Sequence, residues 1–388
     1  MSIVLSASVR QNLLSLQSTA DLLSTTQNRL ATGNKVNSAL DNPTNFFTAQ
    51  GLNNRASDIN NLLDSIGNGV QVLQAANTGI TSLQKLVDTA KSIANQVLQA
   101  PAGYTSKSTA TSVTSIGLGT ADDLVDGTVI DATDQLIIAA SAGHAAFSFT
   151  FTATTSLADL NTALAASNYS ASLDSTNKLV ITTTNDTASS TIGAITYTNT
   201  GGGTLTFGAV AAPVADAASQ TIRSSLVKQY NDIITQITTT AQDASFNGIN
   251  LLNGDDLKLT FNETGKSTLN IKGVTFNAAG LGLASLTSGT DFLDNSSANA
   301  ALVKLSAAST TLRTQASSLG SNLSVVQIRQ DFNKNLINVL QTGSSNLTLA
   351  DTNEEAANSQ ALSTRQSIAV SALALANQSQ QSVLQLLR

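Results

Sequence analysis

Residues 9–30, VRQNLLSLQSTADLLSTTQNRL, decide how this chain is organised. Apolar or neutral residues recur there at steps of four and three, the spacing of the a and d positions of a coiled coil. These positions are Val9, Leu13, Leu16, Ala20, Leu23, Gln27 and Leu30. The spacing predicts a helix with one apolar seam that runs over about three heptads.

The far end of the chain carries a matching seam. Its positions are Leu362, Gln366, Ala369, Leu373, Ala376, Gln380, Val383 and Leu387. Neither terminal segment has an apolar core in its own sequence neighbourhood, so we expect the two helices to pack against each other. A pair this small leaves apolar surface over, which we expect further copies of the chain to cover.

The rest of the chain divides by periodicity. Helical spacing returns between Leu52 and Val97, between residues 217 and 241, and between Leu302 and Leu340. Residues 255–276 have the alternation of a β-hairpin with Gly265 in its turn. We therefore predict a mainly α protein with long antiparallel coiled-coil helices from both termini and one β-hairpin.

Residues 106–216 have a different character from the helical segments. Serine and threonine are dense, charge is sparse, and the apolar period drops to two. The predicted strands include residues 135–139, 147–152, 178–182 and 205–207, with a short helix over residues 157–164. We interpret this region as an inserted, mainly β outer domain.

Three domains follow from these boundaries. Residues 1–45 and 350–388 form a terminal coiled-coil layer, residues 46–105 and 217–349 form a helical second layer with the hairpin, and residues 106–216 form the insert.

Composition argues against several classes of function. The net charge of −6 and a pI near 4.7 disfavour nucleic-acid binding, which uses clustered lysine and arginine. The chain has no cysteine and one histidine, His144, so thiolate sites and paired-histidine metal sites are excluded. No apolar run reaches the roughly 18 residues that span a bilayer. We expect no enzyme activity, no cofactor, no metal and no membrane insertion.

Four segments carry a resemblance to a known family. They are residues 29–43 (RLATGNKVNSALDNP), 245–252 (SFNGINLL), 281–283 (LGL) and 376–388 (ANQSQQSVLQLLR). The chain resembles bacterial flagellin over residues 1–105 and 217–388, and Asp41-Asn42-Pro43 is similar to the alphaproteobacterial type. The insert lies outside the resemblance, and it precedes residue 217, whereas many flagellins place their outer domains after the hairpin.

The resemblance implies a function and a set of partners. The chain would be a structural subunit that polymerises with itself into a helical flagellar filament for swimming. Its terminal layer would be innermost and would order on assembly. The filament cap, hook-associated proteins and an export chaperone would be partners, and export to the cell exterior would use no cleaved signal peptide.

Other functions stay open on the sequence alone. A hook–filament junction protein is a flagellin relative with similar termini, and a secreted coiled-coil adhesin would carry the insert as its binding domain. An enzyme is the weakest alternative, because the sequence contains no catalytic constellation.

One segment of the second helix resembles the stretch by which many flagellins are recognised by a Toll-like receptor. It comprises Gln84, Lys85, Leu86, Val87, Asp88, Thr89, Ala90 and Lys91. Val87 stands where the family segment carries an arginine, whose planar guanidinium suits such a contact. Val87 also belongs to the heptad seam. We expect weak or no receptor recognition.

Overall fold

Long helices dominate the computed structural model, which describes residues 7–117, 120–201 and 205–386. The helices are α1 (Ala7–Thr32), α2 (Pro43–Gln99), α3 (Leu157–Ala165), α4 (Ala217–Asp243), α5 (Asn295–Thr348) and α6 (Thr352–Leu386). The strands are β1 (Tyr104–Ser106), β2 (Thr109–Thr111), β3 (Gln135–Ile138), β4 (Phe147–Thr150), β5 (Tyr169–Leu173), β6 (Leu179–Thr183), β7 (Ile195–Thr198), β8 (Val214–Ala215), β9 (Leu257–Thr260) and β10 (Thr268–Ile271). The predicted fold class is confirmed.

The ends of the long helices have different causes. α1 ends before Gly33, whose φ of +71° lies in the left-handed region that glycine favours. α5 continues past Leu340, the last position of its predicted helical spacing, and through Gly343 to end at Thr348. Ser344 is buried there, and its hydroxyl donates to the carbonyl of Ala49 at 3.2 Å. Packing against α2 therefore maintains the helix beyond the glycine.

The chain divides into two compact units, which we describe separately. The first contains the described residues up to Val70, Lys258–Asn270, and those from Ser324 onwards. The second contains Gln71–Leu257 and Ile271–Leu323.

In the first unit, α2 packs against α5 through a small apolar cluster. Its members are Ala56, Ile59, Ile337 and Leu340, with Leu52, Leu63 and Leu336 at its edge. A glycine, Gly69, lies inside α2 where a Cβ would clash with the side chain of Leu259. The hairpin is also held by α5, where Asn333 Nδ2 donates to the carbonyl of Phe261 at 3.0 Å.

In the second unit, α4 buries one face and the loop after it packs on α2. Tyr230 of α4 meets Phe292 edge to face, with ring centroids 5.8 Å apart. Asn250 closes the loop by donating from Nδ2 to the carbonyl of Ala241 at 2.9 Å. Gly79 of α2 has no side chain because a Cβ there would lie 2.7 Å from Leu252 Cδ1.

The insert is built from two three-stranded antiparallel sheets and the short helix α3. The strand orders are β2-β6-β5 and β4-β3-β7. α3 begins with a capping box, in which Ser156 and Asp159 exchange hydrogen bonds at the first turn. The predicted strand at residues 205–207 is reduced to an isolated bridge between Phe207 and Ser112. Strands β5 and β7 were not recognised in the sequence.

One continuous core fills the insert. Its fully buried members include Ile116, Leu124, Leu136, Leu160, Leu164 and Ile181. The single histidine belongs to this interior, because His144 is buried, stacks on Tyr169 with ring centroids 4.2 Å apart, and bonds through Nδ1 to the carbonyl of Ser167 at 2.8 Å. Its surroundings fit a structural role.

The insert leaves and re-enters the helical part through a pair of strands. β1 pairs antiparallel with β8, with Tyr104 opposite Ala215 and Ser106 opposite Val214. Beneath them lies Arg223 of α4, which is buried. Its Nε donates to the carbonyl of Pro101 at 3.1 Å, and Nη1 donates to that of Phe292 at 3.0 Å. One guanidinium thus joins three segments of the chain.

Candidate assembly surface of the terminal helices

The terminal helices α1 and α6 pack against each other within the first unit. The connections at their base hold them in register. Lys35 donates its backbone N–H to the carbonyl of Thr348 at 2.7 Å, and Ala350 donates to that of Gly33 at 3.0 Å. Asn34 and Leu349 form an antiparallel bridge. The chain therefore enters α6 beside the point where it leaves α1.

Side chains fix both linkers locally. Asp41 Oδ2 accepts the backbone N–H groups of Asn37 and Ser38 at 3.0 and 2.8 Å. The bond from Ser38 is the largest cause, and that from Asn37 the next, of the lowered pKa of this carboxyl. At the start of α6, Asp351 Oδ1 accepts the N–H of Asn353 at 2.9 Å, as an N-cap does.

The seam predicted for α6 is its least exposed face. Leu362, Gln366, Ala369, Leu373 and Ala376 are half-buried, whereas the other described residues between them, such as Ile368 and Leu375, are exposed. The remaining seam positions, Gln380, Val383 and Leu387, have side chains outside the described residues. α1 therefore covers only part of the circumference of α6.

The face of α1 toward the interior differs from the predicted seam in alternate positions. Val9 is buried, and Leu16, Ala20 and Leu23 are half-buried, while Leu13 and Leu30 are 38% and 39% exposed. Thr19 and Thr26, which the sequence analysis did not select, are buried at 3% and 7%.

The hydroxyl of Thr19 explains how a polar residue takes a seam position. It donates to the carbonyl of Ser15 at 2.8 Å, so the polar atom is satisfied within the helix and the methyl group is free to pack. Residues 9, 12, 16, 19, 23 and 26 also follow a heptad spacing, and this spacing is the sequence signal that could have identified Thr19 and Thr26. Hydropathy alone favours Leu13 over Asn12 and Ala20 over Thr19.

One ion pair crosses from α1 to α6. Arg29 Nη1 lies 3.3 Å from Oε1 of Glu355, a residue that is buried in the first turn of α6. Ion pairs between exposed side chains contribute about 0.2–1 kcal/mol to stability. Because the Glu355 side chain is largely covered, this pair should contribute an amount near the upper end of that range. The glutamate also suits the positive end of the helix dipole.

The receptor-like segment of α2 lies in the second unit and is split between core and surface. Val87 and Ala90 are fully buried, Gln84, Leu86 and Lys91 are half-buried, and Lys85, Asp88 and Thr89 are exposed. Lys91 Nζ lies 4.0 Å from Oδ1 of Asp88 on the same face. Val87 is a core residue, so its side chain is not part of any accessible surface.

Chemistry-bearing groups do not converge on the terminal helices. In the part of the chain that the structure describes, no group of three or more histidine, cysteine, aspartate or glutamate residues could hold a metal ion. Among the described helices, none is long and apolar enough to cross a membrane. The terminal helices offer packing surface and little else.

That packing surface is unusually apolar on its outer side. Leu14 and Leu22 of α1 are exposed, as are Ile368, Val370 and Leu375 of α6. Arg365 is the single charged residue between positions 356 and 386. Extended apolar faces of this kind mark sites of protein association.

Comparison with protein families identifies both ends of the chain. Residues 4–116 match the bacterial flagellin N-terminal helical region, and residues 302–387 match the bacterial flagellin C-terminal helical region. Together the two regions make up just over half of the chain and leave out the insert beyond residue 116.

Curated relatives point the same way. Flagellin FljM of Caulobacter vibrioides is 32% identical over 167 residues, and flagellin FljK of the same organism is 33% identical over 168 residues. Each alignment covers 42% of this chain and 60% of the relative. Flagellin A of Rhizobium meliloti is 34% identical over 124 residues, which are 32% of this chain and 27% of the relative. The chain belongs to the bacterial flagellin family, with relatives of alphaproteobacterial type.

Proposed function

We propose that this chain is a structural subunit that polymerises into an extracellular flagellar filament used for swimming. The observation that carries the proposal is the outer surface of the α1–α6 pair, where large apolar side chains face solvent on both helices and where Arg365 is the single charged residue between positions 356 and 386. Membership of the flagellin family supports the same role.

The physical argument concerns burial. Covering one leucine side chain stabilises a structure by about 1.5–3 kcal/mol, and the single chain leaves several uncovered. Neighbouring copies can cover them through contacts between different faces, and such contacts generate an open helical assembly when the rotation between successive copies does not close into a ring. Such a function needs no chemical reaction, so we propose a non-enzymatic role.

The finer assignments of layers and partners rest on the family resemblance. We propose that residues 1–45 and 350–388 form the innermost layer and gain order as neighbours cover them. In this arrangement, residues 46–105 and 217–349 form the next layer and residues 106–216 face outward. The filament cap, hook-associated proteins and an export chaperone are the proposed partners, and export proceeds without a cleaved signal peptide.

Weak or absent recognition by a Toll-like receptor is also proposed. The support is that Val87 is buried and provides no guanidinium to an accessible face. A reporter assay with purified monomer tests this, and strong signalling by the unmodified chain would contradict it. Val87→Arg is expected to destabilise the fold and not to restore recognition, because it buries an unpaired charge.

Seeded polymerisation followed by electron microscopy tests the filament role. Leu373→Asp, which places a carboxylate in the half-buried seam of α6, is expected to leave a soluble monomer that forms no filaments. Gln378→Asp, at an exposed position of the same helix, is the matched control for added charge. Filament formation by a chain that lacks residues 350–388 would refute the role of the terminal layer.

The same images separate the alternative functions. A junction protein would stop after a short layer on the seeds, and an adhesin would remain a monomer with ordered termini. Long filaments from the unmodified chain exclude both.

A further inference from the structure

Helix α5 has two apolar faces, and the structure covers only one of them. Val326, Asn333, Ile337 and Leu340 face the interior of the first unit and are buried. A second row, which we call the α5 stripe, consists of Val325, Ile328, Phe332 and Val339, exposed by 42%, 65%, 55% and 66%.

The spacing of the α5 stripe is that of a coiled-coil seam. Its steps are three, four and seven residues, so the four side chains follow one line along the helix, displaced around the axis from the buried row. A helix with an apolar seam on each of two sides can pack against two partners at once. Within the first unit, α2 and the hairpin already take one side.

A second exposed feature of the first unit lies on α1. The outer face of α1 carries a shallow, open patch, which we call the α1 groove, and it is lined by Leu14, Gln17, Ser18, Asp21, Leu22 and Thr25. Leu14 and Leu22 are its exposed apolar members. Four residues at these spacings make the hole into which a side chain of a facing helix inserts.

Charge at the two features also matches. Asp21 contributes a carboxylate to the groove of α1. Arg329 borders the α5 stripe, and its guanidinium lies 5.8 Å from the ring of Phe261. Opposite charges beside an apolar contact fix its register more than they add affinity.

We infer that the α5 stripe of one copy packs into the α1 groove of a second copy. This inference rests on the proposed function and specifies one contact by which the filament grows. The contact joins different faces of the two copies, so it propagates from copy to copy. A stripe of four large apolar residues is comparable to the apolar patches of a few hundred Å² that mark association sites on monomers.

The absence of cysteine makes a direct test simple. Ser18→Cys in one chain and Phe332→Cys in another are mixed, polymerised on seeds and treated with a short bismaleimide. A covalent dimer is expected in the mixed filaments and not in filaments of either variant alone. If loss of the Phe332 ring slows polymerisation, Asn335→Cys replaces Phe332→Cys in the experiment. Asn335 is polar and lies on the same side of α5, so its substitution removes no apolar side chain.

Gln327→Cys is the matched control, because it is exposed on the other flank of α5. It is expected to give no dimer with Ser18→Cys. Well-formed mixed filaments without the Ser18–Phe332 or Ser18–Asn335 dimer would overturn the contact and leave the filament role intact. Dimers formed by Phe332→Cys alone would also overturn it, since the stripe would then face another stripe. Failure of the unmodified chain to form filaments would instead refute the proposed function.

Discussion

The insert and the terminal helix pair bury their apolar residues to very different extents. In the insert, Leu136, Leu160 and Ile181 are fully buried between two sheets and α3. In α6, Leu373 and the other described seam residues are only half-buried, and Leu375 is exposed. The first region completes its core within one chain, and the second does not.

The difference follows from the number of partners that each element has. A strand of the insert has neighbours on its edges and on its inner face, so its inward side chains are enclosed. α6 has α1 on one side and solvent on the rest of its circumference. Helices depend on such tertiary packing for most of their stability, so the terminal pair is the part that gains most from neighbouring copies.

The largest effect is expected from truncating one leucine in each region. Leu160→Ala should lower the free energy of unfolding of the insert by about 2–5 kcal/mol, because the enclosed site cannot collapse fully. Leu373→Ala should cost the monomer less than about 1 kcal/mol, since the side chain is only partly covered in the single chain.

Urea unfolding of the two variants and their seeded polymerisation measure this contrast. Leu160→Ala should still polymerise below the melting point of the insert, whereas Leu373→Ala should polymerise poorly. Equal losses of monomer stability would show that the terminal pair is as complete as the insert.

A somewhat smaller effect is expected at the junction between α4 and the strands of the insert. Arg223→Met should destabilise the second unit by about 2–4 kcal/mol, because the carbonyls of Pro101 and Phe292 lose their donor and Phe292 is fully buried. Arg313→Met, at an exposed position of α5, is the control and should change stability by less than about 0.5 kcal/mol. Thermal unfolding distinguishes the two, and similar melting points would contradict the joining role of Arg223.

The sequence predicted the helices well because their signal is long and periodic. The four long elements α1, α2, α5 and α6 each repeat their apolar spacing over many turns, and the breaks at Gly33 and Pro101 have local causes. Gly343 shows the limit, because the contact of Ser344 with Ala49 joins residues 295 positions apart. No local pattern contains that contact.

The burial of the site was harder to predict than its location. Heptad spacing located the α1–α6 pair, yet it could not separate Leu13 from Thr19, since both fit an alternation of three and four. Thr19 can be buried because its hydroxyl donates to the carbonyl of Ser15. That bond depends on the side-chain rotamer, which the spacing of residues does not specify. The short strands β5 and β7 were missed although each alternates apolar and polar residues, because runs of five and four residues do not stand out from the serine- and threonine-rich segments around them.

Acid should act on the insert more than on the terminal helices. Burial opposes ionisation of Asp126, but hydrogen bonds from Thr128, Val129 and Ile130 outweigh it and lower the pKa of the carboxyl to about 2. In Asp134 the bonds from Tyr197, Thr200 and the backbone of Asp131 likewise outweigh burial and lower the pKa.

A carboxyl whose pKa is lowered by folding stabilises the fold above its unfolded value, near 3.9, and loses that contribution as the pH falls through the folded value. The insert should therefore lose stability between about pH 4 and pH 2. Circular dichroism melts over this range measure the loss, and Asp126→Asn should make the dependence on pH shallower. An unchanged slope would contradict the role of this carboxylate.

The smallest effect on assembly is expected from removing the insert altogether. Ser106 and Val214 are opposite each other in the β1–β8 pair, so a two-residue Asn-Gly turn can replace residues 107–213 and close a hairpin. The shortened chain keeps α1, α6 and the α5 stripe. Because the insert completes a core of its own, seeded polymerisation should proceed at a similar rate and give thinner filaments in electron micrographs. A version of the chain with a Gly-Gly turn at the same place controls for turn chemistry. Loss of assembly in both versions would show that the insert supports the helices, and the separation between the two regions would then be wrong.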